Sequence, residues 1–214
     1  MMSAMATGEW STNEHVDRYL ERADSYPRRH EGESAFLEQV PAGARRVLDL
    51  GTGDGRLIAL LRRDRPDLEA VGLDASEPML RAARERFDGD SRVQVREHDL
   101  NDPLPALGSF DAIVSSFAIH HLEDERKRTL YGEAFGLLRP GGAFANLEHV
   151  ASPNQRLHLA FLEAIDEPVE HDDPSDRLID VETQLEWLRS HGFEDVDCYW
   201  KWLEMALLVG IKPI

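Results

Sequence analysis

From Arg46 onward the chain alternates short apolar runs with amphipathic stretches. Val47-Leu48-Asp49-Leu50 is an apolar run that stops at a glycine cluster, the pattern of a parallel strand buried on both faces. Leu57, Ile58, Leu60 and Leu61 follow at helical spacing, and Pro66 marks that helix's end. Ala70 to Leu73 then predicts a strand, Pro78 to Phe87 a helix, and Val93 to Val95 a third strand. Pro103 and Pro105 place a loop before the strand Phe110 to Val114. Glu123 to Leu138 predicts a helix whose acidic start complements its dipole, with Arg139-Pro140-Gly141-Gly142 as its stop. Ala143 to Val150 is a fifth strand. Asn154 to Ile165 predicts an amphipathic helix, Glu167 to Asp176 a solvated acidic loop, and Val181 to Ser190 another helix. Phe193 to Tyr199 and Lys201 to Ile211 close the chain as two strands, close enough for an antiparallel hairpin.

Strands alternating with helices imply a Rossmann-like, doubly wound α/β fold on a mostly parallel sheet. The first forty residues differ. Trp10, Val16, Tyr19, Leu20 and Tyr26 lie at roughly helical spacing in a polar stretch, which predicts one or two short helices outside the sheet. The expected organisation is an N-terminal helical cap segment over residues 1–40 and one domain over 41–214. A helical and acidic insert, about residues 152–178, interrupts that domain.

The formal net charge of −17 changes the picture of partners. A nucleic-acid binder needs a stripe of Lys and Arg to neutralise phosphates. The densest basic stretches here, such as Arg62-Arg63-Asp64-Arg65, are short and close to acids, so nucleic acids and anionic membranes are not the expected partners. No run approaches the roughly 20 apolar residues of a membrane span. MMSAMATGEW lacks both a basic and an apolar leader region, and Cys198 is the sole cysteine. A cytoplasmic monomer or homodimer acting on a small molecule is the expectation.

The glycine loop carries the most information. Gly51, Gly53 and Gly55 follow the first strand and precede a helix, so free N–H groups meet a ligand at a helix start. A dinucleotide loop reads G-x-G-x-x-G, and Arg56 stands where its third glycine belongs, which argues against a nicotinamide oxidoreductase. Asp49, just before the loop, repels a pyrophosphate but suits an ammonium or sulfonium group. Asp74 ends the second strand nineteen residues after Gly55, where a carboxylate can accept two ribose hydroxyls; Ser76 is the better cap for the next helix. Asp99, after the third strand, can accept an adenine amino group, with Asp102 as its rival.

Asp49-Leu-Gly51-Thr52-Gly53-Asp54-Gly55, Gly72-Leu-Asp74-Ala75-Ser76, His98-Asp99-Leu100, Phe110-Asp-Ala-Ile-Val-Ser115-Ser116 and Leu138-Arg-Pro-Gly141-Gly142 together resemble the successive motifs of class I S-adenosylmethionine-dependent methyltransferases. The resemblance covers roughly Val40 to Val150 well and the remainder loosely. It implies a seven-stranded sheet with an antiparallel last strand. It also implies S-adenosyl-L-methionine as cofactor, S-adenosyl-L-homocysteine as product, and in-line methyl transfer to a small-molecule acceptor. By this resemblance the loop Gly51 to Gly55 holds the methionine portion, Asp74 with Ala75 the ribose, and Asp99 with the Leu100 backbone the adenine, over Met79. Ser115 and Ser116 open the segment, running to His121, beside the expected methyl. Tyr19, Tyr26 and Arg28 resemble lid residues of small-molecule members, with Arg28 facing the methionine carboxylate.

A sulfonium methyl is already electrophilic, so alignment does most of the work and a base matters only if the nucleophile must lose a proton. His120, Glu148 and His149 are the candidate catalytic groups, although the segment Ile119 to Leu122 also resembles one found in enzymes with unlike substrates. His158 reads as a surface residue and Cys198 as inert packing. His171-Asp172-Asp173 has no second ligand cluster at zinc spacing, so no metal is expected. The same fold also suits an enzyme that modifies S-adenosylmethionine itself, or a non-catalytic regulator that binds it.

Overall fold

The computed structural model describes residues 26–168 and 175–214. Seven strands form one sheet: β1 Arg46–Leu50, β2 Glu69–Asp74, β3 Val93–Glu97, β4 Phe110–Ser116, β5 Leu138–His149, β6 Glu194–Trp202 and β7 Met205–Ile211. Their order is β3-β2-β1-β4-β5-β7-β6. β1 to β5 run parallel, and β7 is antiparallel to both β5 and β6. The helices are α1 Arg29–Gln39, α2 Arg56–Asp64, α3 Glu77–Arg86, α4 Asp124–Leu137, α5 Gln155–Ala164 and α6 Val181–Ser190, with a 3-10 turn at Ile119–His121. No helix of the described residues is long and apolar enough to cross a membrane.

The period of two along β1 divides the core. Leu48 and Leu50 face one layer with Ile113, Phe144 and Leu208, closed by Tyr131 of α4 and Leu188 of α6. Val47 faces the other with Ala112, Val114 and Val209, closed by Ile58 and Leu61 of α2 and Phe36 of α1. Both faces of β1 are thus covered, as its consecutive apolar residues Val47 and Leu48 predict. The seven strands and the antiparallel β7 match expectation.

Three details depart from the sequence reading. Helix α1 falls within the stretch set apart as a cap, yet it lies on the sheet, with Phe36 fully buried. A Cβ on Gly32 would sit 2.8 Å from the Trp200 ring of β6, so only glycine allows this approach. The helices expected before Tyr26 lie outside the described residues. Secondly, Arg139-Pro140-Gly141-Gly142 belongs to β5. Its pairing with β4 shifts register between Phe110 and Ala112, and the Gly141 N–H and Gly142 C=O bond the backbone of Lys212. A bulge absorbs the proline and glycines without ending the strand. Thirdly, Lys201 and Trp202 complete β6, and the chain turns at Leu203, with φ 50°, and Glu204 before β7 begins.

Phe36→Ala is expected to cost about 3–5 kcal/mol of folding stability, as for buried aromatics generally. Denaturant unfolding checks this; a loss under about 1 kcal/mol would make α1 a detachable appendage.

Candidate functional site

The carboxyl ends of β1 to β5 share one edge of the sheet. After β1 the chain enters a loop with Gly51, Gly53 and Gly55 at φ of 71°, 54° and 80°. Gly51 is fixed twice over, because a Cβ there would also fall 2.1 Å from that of Ala118. The amides of Gly51 and Thr52 donate to the Leu73 carbonyl at 2.8 and 2.9 Å, and the Gly53 amide donates to Asp74 Oδ2 at 2.8 Å. Thr52 rests on Gly72, where an added Cβ would lie 2.8 Å from its side chain. Asp54 pairs with Arg86 of α3. Ser76 caps α3 by accepting from the Met79 amide, as the sequence predicts.

The three acids do stand at successive strand tips. Asp49 is buried; its Oδ2 accepts from the Thr52 hydroxyl at 2.7 Å, and its Oδ1 has no partner among the described residues. Burial pushes the Asp49 carboxyl up to about 7, against the Thr52 hydrogen bond and helped by the charges of Asp74 and Asp54. Half-buried Asp74 also accepts from the Ser76 amide at 2.8 Å; burial raises its pKa while the amides of Ser76, Gly53 and Ala75 oppose the rise. The amide of His98, just past β3, donates to the Asp74 carbonyl at 2.8 Å, which brings Asp99 beside it. Asp99 Oδ1 accepts from the Asn101 backbone and side chain, both at 2.9 Å. Its rival Asp102 is exposed. Arg126 of α4 clamps this turn through the carbonyls of Leu100 and Asp102 at 2.6 and 2.8 Å. Buried Met79 lies near Gly53, its Sδ 3.9 Å from a Cβ built there. This edge of the sheet gathers positive-φ glycines, ordered amides and three carboxylates.

Other expected contacts fall differently. Buried Ser115 donates to the Leu50 carbonyl at 2.8 Å and braces β4 against β1, while Ser116 sits half-buried at the strand tip. Arg28 is half-exposed and pairs with Glu31 at 2.9 Å. Its neighbour Arg29 is buried, its guanidinium 5.2 Å from the centre of the Phe117 ring, and it bonds Glu33, which also holds Arg56. Tyr19 and the His171 to Asp173 run lie outside the described residues.

The tips of β4 and β5 carry a linked set of imidazoles and carboxylates. His120 Nδ1 meets Glu148 Oε1 at 2.6 Å, and Asn146 Nδ2 donates to Glu148 Oε2 at 3.2 Å. His120 Nε2 lies 3.4 Å from Asp176 Oδ1, and His149 Nδ1 lies 3.0 Å from Asp176 Oδ2. His149 Nε2 and His158 Nδ1 both reach Glu204, each at 3.1 Å. Burial opposes ionisation of Glu148, but the charge and hydrogen bond of His120 prevail and hold its carboxyl below the usual range. Burial likewise opposes the charge on His149, yet hydrogen bonds to Asp176 and Glu204 carry it up to about 9.

Sequence reading placed Asp176 in a solvated loop and His158 on the surface. The structure corrects the first, since Asp176 is largely buried, and adds to the second a Glu204 partner for the partly exposed His158. The Arg177 amide donates to the His120 carbonyl at 3.0 Å, the Ala151 amide to the Ile179 carbonyl at 3.1 Å, and Lys127 Nζ to the Arg177 carbonyl. These bonds draw the acidic segment onto the strand tips. Asp176 and Glu204 went unnoticed because their partners are distant in the chain; two acids near the predicted ends of elements were the only linear signal.

Residues 47–142 match the family model described as a methyltransferase domain. An uncharacterized methyltransferase of Mycobacterium tuberculosis is 38% identical over 136 residues, 64% of this chain and 58% of that relative. A demethylmenaquinone methyltransferase of Thermus thermophilus is 35% identical over 127 residues, 58% of this chain and 55% of that relative. The match thus spans little more than half the length of these curated relatives. An O-methyltransferase family protein from Burkholderia thailandensis superposes with a TM-score of 0.76 at 20% identity, covering 99% of this chain and 64% of that one. Human N-acetylserotonin methyltransferase, solved with S-adenosylmethionine, gives a TM-score of 0.71 at 16% identity, over 99% and 60%.

His149 gives the site a pH signature. A folded pKa near 9 against an ordinary 6.5 means that its stabilising contribution is complete below pH 6.5 and fades as pH rises through 9. Its full size is about 3 kcal/mol. Thermal unfolding of His149→Gln between pH 6 and 9.5 should show a flatter decline than the parent; parallel curves would remove His149 from the ion network.

Proposed function

We propose that the chain is a class I S-adenosylmethionine-dependent methyltransferase and that it transfers the cofactor's methyl group to a small-molecule acceptor held over the tips of β4 and β5. Asp49 is the observation that carries this reading. A buried carboxylate oxygen without a partner, beside ordered glycines at the tip of β1, fits a cationic amino-acid group and would repel a pyrophosphate. The amides of the Gly51 to Gly55 loop and Thr52 shape the recess for the methionine portion. Asp74 keeps lone pairs for ribose hydroxyls beyond the two amides it holds, and Asp99 keeps Oδ2 for an adenine amine, above Met79. Buried Arg29, rather than exposed Arg28, suits the methionine carboxylate. When bound, the sulfonium supplies a methyl whose C–S bond breaks as the acceptor's bond forms, leaving S-adenosylhomocysteine.

The chain's own part in that step is alignment and proton handling. Ala118 packs against Gly51 two residues before His120, so the histidine cluster adjoins the loop. His120 receives the acceptor's proton where one must leave, and Glu148 behind it balances the imidazolium. Asp176 and His149 close the cluster's other side. The net charge of −17 supports a small-molecule acceptor over nucleic acid, and a single cysteine supports a cytoplasmic setting. Quinone methyltransferases among the relatives make reduced quinones the first acceptors to assay.

Calorimetry should find S-adenosylhomocysteine binding, weakened at least about tenfold by Asp74→Ala. Unchanged affinity would overturn the ribose assignment. With an accepted substrate in hand, His120→Asn should lower kcat about a hundredfold or more while cofactor affinity stays within about twofold. A KM effect alone would reduce His120 to a binding contact.

A further inference from the structure

His120, His121 and Asp176 each offer one ligand atom, and these atoms all lie within 4.8 Å of one another. Asp176 Oδ1 stands 3.4 Å from His120 Nε2 and 3.5 Å from His121 Nδ1. Both separations are long for direct hydrogen bonds. They match the edge, about 3.3–3.4 Å, between neighbouring ligands of a tetrahedral ion bound at about 2.0–2.1 Å. His121 Nδ1 also faces the Ser175 hydroxyl at 3.1 Å, a contact that an ion there would replace.

The surroundings of the cluster point the same way. Ligating imidazoles in metal sites pass their second nitrogen to a carboxylate that fixes ring orientation and raises basicity. Buried Glu148 takes Nδ1 of His120 at 2.6 Å and turns Nε2 toward Asp176. His149 does the equivalent for the carboxylate ligand, holding Asp176 Oδ2 at 3.0 Å while Oδ1 stays turned to the two imidazoles. We propose that His120 Nε2, His121 Nδ1 and Asp176 Oδ1 bind one divalent transition-metal ion beside the acceptor position, with a fourth coordination site left for water or an acceptor oxygen. Two imidazoles and one carboxylate favour zinc, cobalt, nickel or ferrous iron over magnesium or calcium, which take oxygen-only sets. The role of the ion in catalysis rests on the methyl-transfer reading: with the ion on Nε2, His120 serves as its ligand in place of accepting a proton, and an acceptor hydroxyl polarised by the ion releases its proton to water before its oxygen takes the methyl group. Its binding does not depend on that reading.

The test is calorimetry of the chelator-treated full chain with zinc sulfate, paired with cobalt(II) absorption and with S-adenosylhomocysteine binding. One zinc ion per chain is expected, at about micromolar affinity or tighter, with the intense visible bands of four-coordinate cobalt. His121→Ala and Asp176→Asn should each weaken binding at least about tenfold. Glu148→Gln should do so by about 10–100-fold through ring orientation; should that variant fail to fold, the other two decide. Retained S-adenosylhomocysteine binding certifies each variant as folded. Absence of saturable one-to-one zinc binding overturns the proposal, as does an affinity that His121→Ala and Asp176→Asn leave intact. Zinc binding lost while S-adenosylhomocysteine binding persists spares the methyltransferase assignment; the converse spares the metal site.

Discussion

The loop after β1 owes its shape to the end of β2. Amides of Gly51 and Thr52 share the Leu73 carbonyl, and the Gly53 amide takes a carboxylate oxygen of Asp74. Parallel pairing of Leu50 with Leu73 sets the distance over which these bonds form. The acid that holds the loop's backbone through Oδ2 is therefore also, under the proposed function, the one that would meet the ribose, so that recognition and scaffold would share one side chain. Asp49 completes the arrangement from the neighbouring tip. It carries no backbone bond on Oδ1, and burial leaves it poised near neutrality. A bound cation would draw it fully to the carboxylate, so ligand affinity and ionisation are linked there.

The tips of β4 and β5 work by a different principle. No glycine bends the chain over them; charge does. Carboxylates of Glu148, Asp176 and Glu204 alternate with imidazoles of His120, His149 and His158, so each of these carboxylates has an imidazole nitrogen within reach. Burying such groups costs several kcal/mol apiece unless they are paired and hydrogen-bonded. The alternation meets that requirement and fixes ring orientations as well. The segment at residues 175–180 takes its position from backbone bonds to His120 and Ala151 and from Lys127, so α4 and the sheet jointly deliver Asp176.

What the sequence discloses follows the range of the forces involved. Val47 to Leu50, apolar but for Asp49, and Ala70 to Leu73 announce buried strands because burial on both faces needs apolar residues at consecutive positions. Ser76 announces its helix because capping acts over three residues. The placing of Asp49, Asp74 and Asp99 at one edge of the sheet was legible since each lies at or just past the end of a strand whose direction the alternating pattern dictates. Helix α1 was not, because it contributes few apolar anchors, chiefly Phe36, to a surface built elsewhere. The run Arg139 to Gly142 has local breaker chemistry that Lys212 overrides by pairing with it across the sheet. Asp176 and Glu204 belong to contacts 27 to 56 residues apart in sequence, which no local period encodes.

Thr52 leans on Gly72 with no space for a methyl group between them. The two positions belong to different elements, the loop after β1 and strand β2, yet they form one steric unit. In a population of variants they would not drift independently: a side chain acquired at 72 would survive only after a smaller residue had arisen at 52. That smaller residue would forfeit the hydroxyl on Asp49 unless it were serine. The permitted route through sequence space therefore runs by way of position 52, in a fixed order of events.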